Sequence, residues 1–109
     1  MRNGYRMCIR IPNGRLDAYL ERFPFLIYHE VVEYEIIRVI GIWADGHTGV
    51  ARSDDMLELG GIFVPDQPDP EPEPTNSWPQ VDLSSEQFER YWEAALQRVE
   101  RELGISISR

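Results

Sequence analysis

The sequence predicts an α+β fold, a small antiparallel sheet of three to five strands covered by a C-terminal amphipathic helix, and three stretches carry that expectation. Residues 22–43, RFPFLIYHEVVEYEIIRVIGIW, are the densest apolar run of the chain. They are rich in β-branched and aromatic residues, which are stiff at the first side-chain torsion and pack well on a pleated surface. Residues 84–103 place apolar side chains at three- and four-residue spacing behind a capping signal. Between these two stretches lies PDQPDPEPEP, residues 65–74, with too little apolar surface to fold by itself.

A chain of 109 residues, 42% apolar with 12 aromatics, is enough for one domain with one modest core. The expected organisation is a β-rich core over 1–64, an acidic Pro-rich spacer over 65–80, and a C-terminal helix and short strand over 81–109. Cys8 is the sole cysteine, so no intrachain disulfide forms, and this points to a reducing compartment or to indifference to redox. No apolar run approaches the ~20 residues of a membrane span, and the first residues lack the apolar centre of a signal peptide. The expected location is cytoplasmic.

Charge says more than size. The net charge is -8, and the chain has no lysine. Residues 1–22 carry five arginines against Asp17 and Glu21, whereas residues 23–109 carry a local -11. Such a body repels nucleic acid and anionic membrane and steers toward basic proteins.

Taken in order, residues 5–11, YRMCIRI, read as a half-buried strand with Met7, Ile9 and Ile11 inward and Arg6 and Arg10 outward. Pro12-Asn13-Gly14 reads as a tight turn. Leu16, Tyr19 and Leu20 recur at helical spacing, giving one or two turns of helix that Pro24 stops. Two core strands follow, near Phe25–Glu30 and Glu35–Trp43. So few residues separate them that only antiparallel pairing is reachable, although the Asn-Gly or Asp-Gly of a two-residue hairpin loop is missing. Ala44–Gly49 is a loop by composition.

Ser53 reads as the N-cap of a short helix over Asp54–Leu59, with Gly60 beyond its end and a small strand over residues 61–64. The segment 65–74 is then an extended spacer reaching roughly 30 Å at ~3.1 Å per residue. Ser84 and Gln87 form a capping box, and Leu83 is placed to staple onto Phe88. Phe88, Tyr91, Trp92, Ala95, Leu96, Val99 and Leu103 share one helix face. Gly104 ends the helix, and residues 105–109 alternate as a last short strand would, or else fray. The helix is expected to roof the strand pair, since a lone pair is not stable without a cover.

Arg22-Phe23-Pro24-Phe25-Leu26-Ile27-Tyr28-His29-Glu30-Val31, followed by Glu35-Ile36-Ile37-Arg38-Val39-Ile40-Gly41-Ile42-Trp43, resembles the C-terminal strand pair of the RelE/ParE toxin superfamily. The likeness spans residues 22–47 and implies a similar β-hairpin. In ribosome-dependent members of that family, basic residues or His near the end of the sheet carry RNA cleavage, which here would fall to His47 with Arg52. The acidity of this chain and its late helix depart from the family pattern.

The remaining candidates weigh toward structure over chemistry. His47 lies between Asp45 and the Asp54–Asp55 pair in a Gly-rich loop, where a general base or metal ligand would need a partner set that no recognised spacing supplies. Cys8 reads as a buried, inert thiol and His29 as a structural or rim residue. No catalytic group, cofactor or metal is expected. Asp66, Asp69, Glu71, Glu73 and Asp82 stand in and beside the spacer at intervals close to phosphate spacing along a nucleic-acid strand, so they suit a basic groove; the plainer alternative, a solubilising acidic linker, weighs slightly more. Trp78 beside them is the candidate exposed anchor, whereas Trp43 and Trp92 belong to the core.

The function expected from these features is that of an acidic protein-binding inhibitor of the antitoxin, immunity or anti-defence type. Its target would be a basic protein such as a nuclease, a toxin or another nucleic-acid-binding protein, reached without direct contact to nucleic acid or membrane. Self-association through the helix is also open. The alternative expectation is a diverged RelE/ParE-like toxin acting on RNA or a topoisomerase.

Overall fold

The computed structural model describes residues 3–9, 24–62, 64 and 80–108. It contains β1 (Asn3–Ile9), β2 (Leu26–Val32), β3 (Glu35–Ile42), β4 (Thr48–Arg52), β5 (Leu57–Leu59), β6 (Gln80–Leu83) and α1 (Ser85–Leu103). The strands form one six-stranded sheet in the order β5-β4-β3-β2-β1-β6, with every neighbouring pair antiparallel. The α+β fold with a helical cover is therefore the one expected. The sheet is wider than the three to five strands the sequence suggests.

The β2–β3 hairpin closes through two residues, Glu33 (φ 50°) and Tyr34 (φ 68°), both in the left-handed region. This is the backbone of a tight primed turn, built without glycine or asparagine at a cost of about 1–2 kcal/mol per residue. Two steps from the turn the pairing slips, because Val31 faces Ile36 whereas Glu30 faces Arg38. Ile37 is thus the extra residue of a β-bulge.

Each face of the sheet carries a core. On one, Tyr28, Ile40 and Val50 meet Phe88, Trp92, Ala95, Leu96 and Val99 of α1 and Ile107 of the C-terminal tail. Phe88 and Val99 are fully buried and Leu96 nearly so, each contributing about 1.5–3 kcal/mol. On the other face, Val31, Ile36, Val39 and Ala51 pack with Ile27, Ile62 and Val64. Arg6 and Cys8 are buried, and the Arg6 Nε–H donates to His29 Nδ1 at 3.3 Å. Arg6 therefore does not point to solvent as the alternation implies. That expectation assumes that only one face of β1 is covered.

The helix starts as its sequence indicates. Ser84 Oγ accepts from the Gln87 N–H at 3.1 Å, and Gln87 Oε1 accepts from the Ser84 N–H at 2.9 Å. Gly104 closes it in the left-handed conformation. Tyr91 and Leu103, expected on the apolar face, are half-exposed at its edges. The tail from Ile105 to Ser108 adds no strand. Ile107 turns into the core while its N–H donates to Glu100 Oε2 at 2.9 Å.

Two further expected elements do not form. Residues 53–56 are a turn and Leu57–Leu59 is strand β5, so no helix spans Asp54–Leu59. Ser and Asp favour turns as readily as helix starts, and Leu57-Glu58-Leu59 alternates as a strand does. Gly61, Ile62 and Val64 make no strand either. The turn at Pro12–Gly14, the short helix over 15–22 and the spacer over 65–74 lie outside the described residues.

Candidate functional site

Beside the helix the sheet opens into a cleft of about 450 Å³, lined by Glu30, Ile37, Arg38, Arg52, Asp54, Asp55, Trp92 and Ser108. The bulge builds its floor. By inserting Ile37 it brings Arg38 opposite Glu30 and turns both toward α1. There the Arg38 guanidinium lies 4.9 Å from the Phe88 ring centre and 5.1 Å from that of Trp92. Its Nε donates to Glu30 Oε1 at 2.5 Å, and its two terminal nitrogens grip both oxygens of Glu89 on the helix. The Tyr5 hydroxyl also bonds Glu30, and burial followed by that carboxylate pushes the phenol up from its ordinary value. Burial alone would lower the Arg38 pKa. Its hydrogen bonds to Glu89 and Glu30 outweigh that effect and hold it above the ordinary arginine value.

Arg52 ends β4 directly opposite Arg38 in the register. Like charges so placed repel, and each is offset by carboxylates of its own. Arg52 makes a two-pronged bond to Asp55, with Nε to Oδ1 at 2.9 Å and a terminal nitrogen to Oδ2 at 2.8 Å. It also donates to the Ser108 carbonyl at 2.7 Å, tying the C-terminal tail to β4. This fork depresses the Asp55 pKa, as Arg38 depresses that of Glu89. Asp54 is exposed beside them and has no hydrogen bond or ion pair among the described residues. The turn that carries these aspartates ends in Met56, held at φ 58° and 76% exposed.

His47 stands apart from this cleft. It closes the β3–β4 loop at the opposite end of β4, roughly 13 Å of strand away from the Asp54 turn. Its ring stacks on Trp43 with centres 4.3 Å apart. Asp45 Oδ1 accepts both the His47 backbone N–H at 3.0 Å and Nδ1–H at 2.6 Å. Those bonds, the backbone one first, hold the Asp45 carboxyl below the usual range. Asp45 and His47 are thus joined to each other and separated from Asp54 and Asp55. Among the described residues no three His, Cys, Asp or Glu side chains are placed to hold a metal ion, and no helix is long and apolar enough to cross a membrane.

Of the residues proposed from sequence to face a partner, Asp82 is exposed on β6, opposite Arg6 in the register. Asp66, Asp69, Glu71, Glu73 and Trp78 lie outside the described residues. Glu30, Arg38, Arg52 and Asp54 escape sequence inspection as a group, because their meeting depends on the bulge and on the four-residue turn after β4. The one available signal is the opposite charge of Glu30 and Arg38 at nearly equal distance from the hairpin turn. No family model, curated protein or solved structure matches the chain.

Proposed function

We propose that this chain is a small acidic protein that binds a basic protein and so blocks or escorts it, in the manner of an inhibitor, antitoxin, immunity or anti-defence protein. The supporting observation is the way the fold sorts its charges. Among the described residues, Arg6 is buried, and Arg38 and Arg52 are mostly withdrawn into carboxylate forks. Only Arg90, Arg98 and Arg101 remain exposed, whereas every described carboxylate except Glu30 and Glu100 is exposed. The surface of the described residues is therefore dominated by carboxylates, and such a field accelerates and selects encounters with basic partners. Asp82 and the spacer residues Asp66, Asp69, Glu71, Glu73 and Trp78 are the contacts the sequence nominates.

The test is capture of partners from the native source by the tagged full chain. A basic protein should be retained at low salt and released as ionic strength rises. Retention of only neutral or acidic proteins, unaffected by salt, contradicts the reading. The rival reading, a RelE/ParE-like toxin, draws on the β2–β3 hairpin, which lies within the resembling residues. Expressing the chain alone separates the two, because a toxin arrests growth and an inhibitor does not.

A further inference from the structure

The geometry points to the cleft between α1 and the β4–β5 turn as a socket for one arginine side chain of the basic partner. This inference rests on the binding role proposed above and assigns its anchor point. Inside the cleft, Glu30 and Asp55 are already engaged by Arg38 and Arg52, whereas Asp54 has no partner among the described residues. A ligand entering there meets one uncommitted carboxylate in a cleft whose apolar lining comes from Ile37 and Trp92. That combination suits a group with an apolar stem and a cationic head.

The charge around the mouth agrees. Glu86, Glu89 and Glu93, at three- and four-residue spacing, share one exposed flank of α1. Trp92 and Glu89 place that flank beside the cleft, since the first lines it and the second grips its Arg38. Across the opening, the turn carries Asp54, Asp55 and the exposed Met56, an apolar contact held outward by a left-handed backbone. The resident arginines narrow the choice of head group. A guanidinium is planar, weakly hydrated and able to fork onto a carboxylate, so it fits beside Arg38 and Arg52 better than a compact, strongly hydrated ammonium.

The experiment titrates ¹⁵N-labelled full-length protein with N-acetyl-arginine methylamide, with the corresponding lysine and norleucine compounds as comparisons. The arginine compound should produce saturable shifts at the Trp92 indole and at the backbone amides of Asp54 and Asp55. Asp54→Asn should weaken its binding roughly fivefold, the scale of one exposed ion pair, while Asp45→Asn, in the exposed loop at the opposite end of β4, leaves it unchanged. Equal binding of the norleucine compound, equal weakening by both substitutions, or shifts that never saturate would overturn the socket. Lysine binding as tightly as arginine would overturn the choice of guanidinium. Both variants alter exposed side chains, and the spectra themselves report whether the fold is kept. If salt-sensitive capture of a basic protein succeeds while this titration fails, the socket falls and the broader role stands.

Discussion

Arg38 on β3 holds both carboxylate oxygens of Glu89 on α1, and this fork ties the sheet to its helical roof. The same guanidinium is bound from behind by Glu30, so two anions of very different exposure share one cation. The Glu30 side chain is 12% exposed and that of Glu89 53%.

That asymmetry sets the effects of substitution. Arg38→Leu strands the sheltered Glu30 and should cost about 2–4 kcal/mol, whereas Glu89→Gln loses an exposed pair and should cost under about 1 kcal/mol. Urea unfolding of the two variants checks the difference. Similar losses would mean that Glu30 does not depend on Arg38.

Asp45, Asp55 and Glu89 each sit below their ordinary carboxylate values, through the His47 N–H, the Arg52 fork and the Arg38 fork respectively. A depressed folded value means stability that is complete above the unfolded carboxylate range near ~4 and lost as pH falls through the folded values. Carbon-detected titration of the side-chain carboxyls should therefore give low midpoints for all three. Asp45→Asn should remove part of the acid-side slope of stability while leaving its alkaline side unchanged.

Two glycines with similar backbones should respond differently to alanine. Gly60 has φ 78°, and an added Cβ would lie 2.5 Å from the Thr48 carbonyl oxygen and 2.7 Å from the Gly49 Cα. Gly104 has φ 67° with nothing within 4 Å of such an atom. Gly104→Ala should cost about 1 kcal/mol from backbone strain, and Gly60→Ala more than about 2 kcal/mol because main chain must also move. Thermal melts of the two variants compare them directly.

The helix is part of the core and not an appendage on a tether. A chain ending at Val64 loses Phe88, Leu96 and Val99, all at most 1% exposed, together with β6. It should show no cooperative unfolding transition. A sharp melt from that fragment would mean that the sheet stands without its cover.

Sequence reasoning reached furthest where local and global preferences agree. The capping box at Ser84 and the spacing from Phe88 to Val99 define α1, and the β-branched run defines β2 and β3. It failed where one residue type serves two structures. Ser53-Asp54-Asp55 suits a helix start or a turn, and Met56 decided for the turn by adopting a positive φ that no propensity assigns to methionine. It failed again at Arg6, where a second core on the far face buries a side chain that one-sided alternation places in solvent. The cleft was invisible for a third reason. Glu30 meets Arg38 only because Ile37 bulges, and a one-residue slip reassigns every facing pair beyond it.

The most direct measurement of the central claim is the association rate of the full chain with its captured partner as a function of salt. An acidic exterior selected to meet a basic protein predicts a rate that falls tenfold or more, on the order of the gain steering provides, between low and high ionic strength. A rate that stays constant across that range would contradict it.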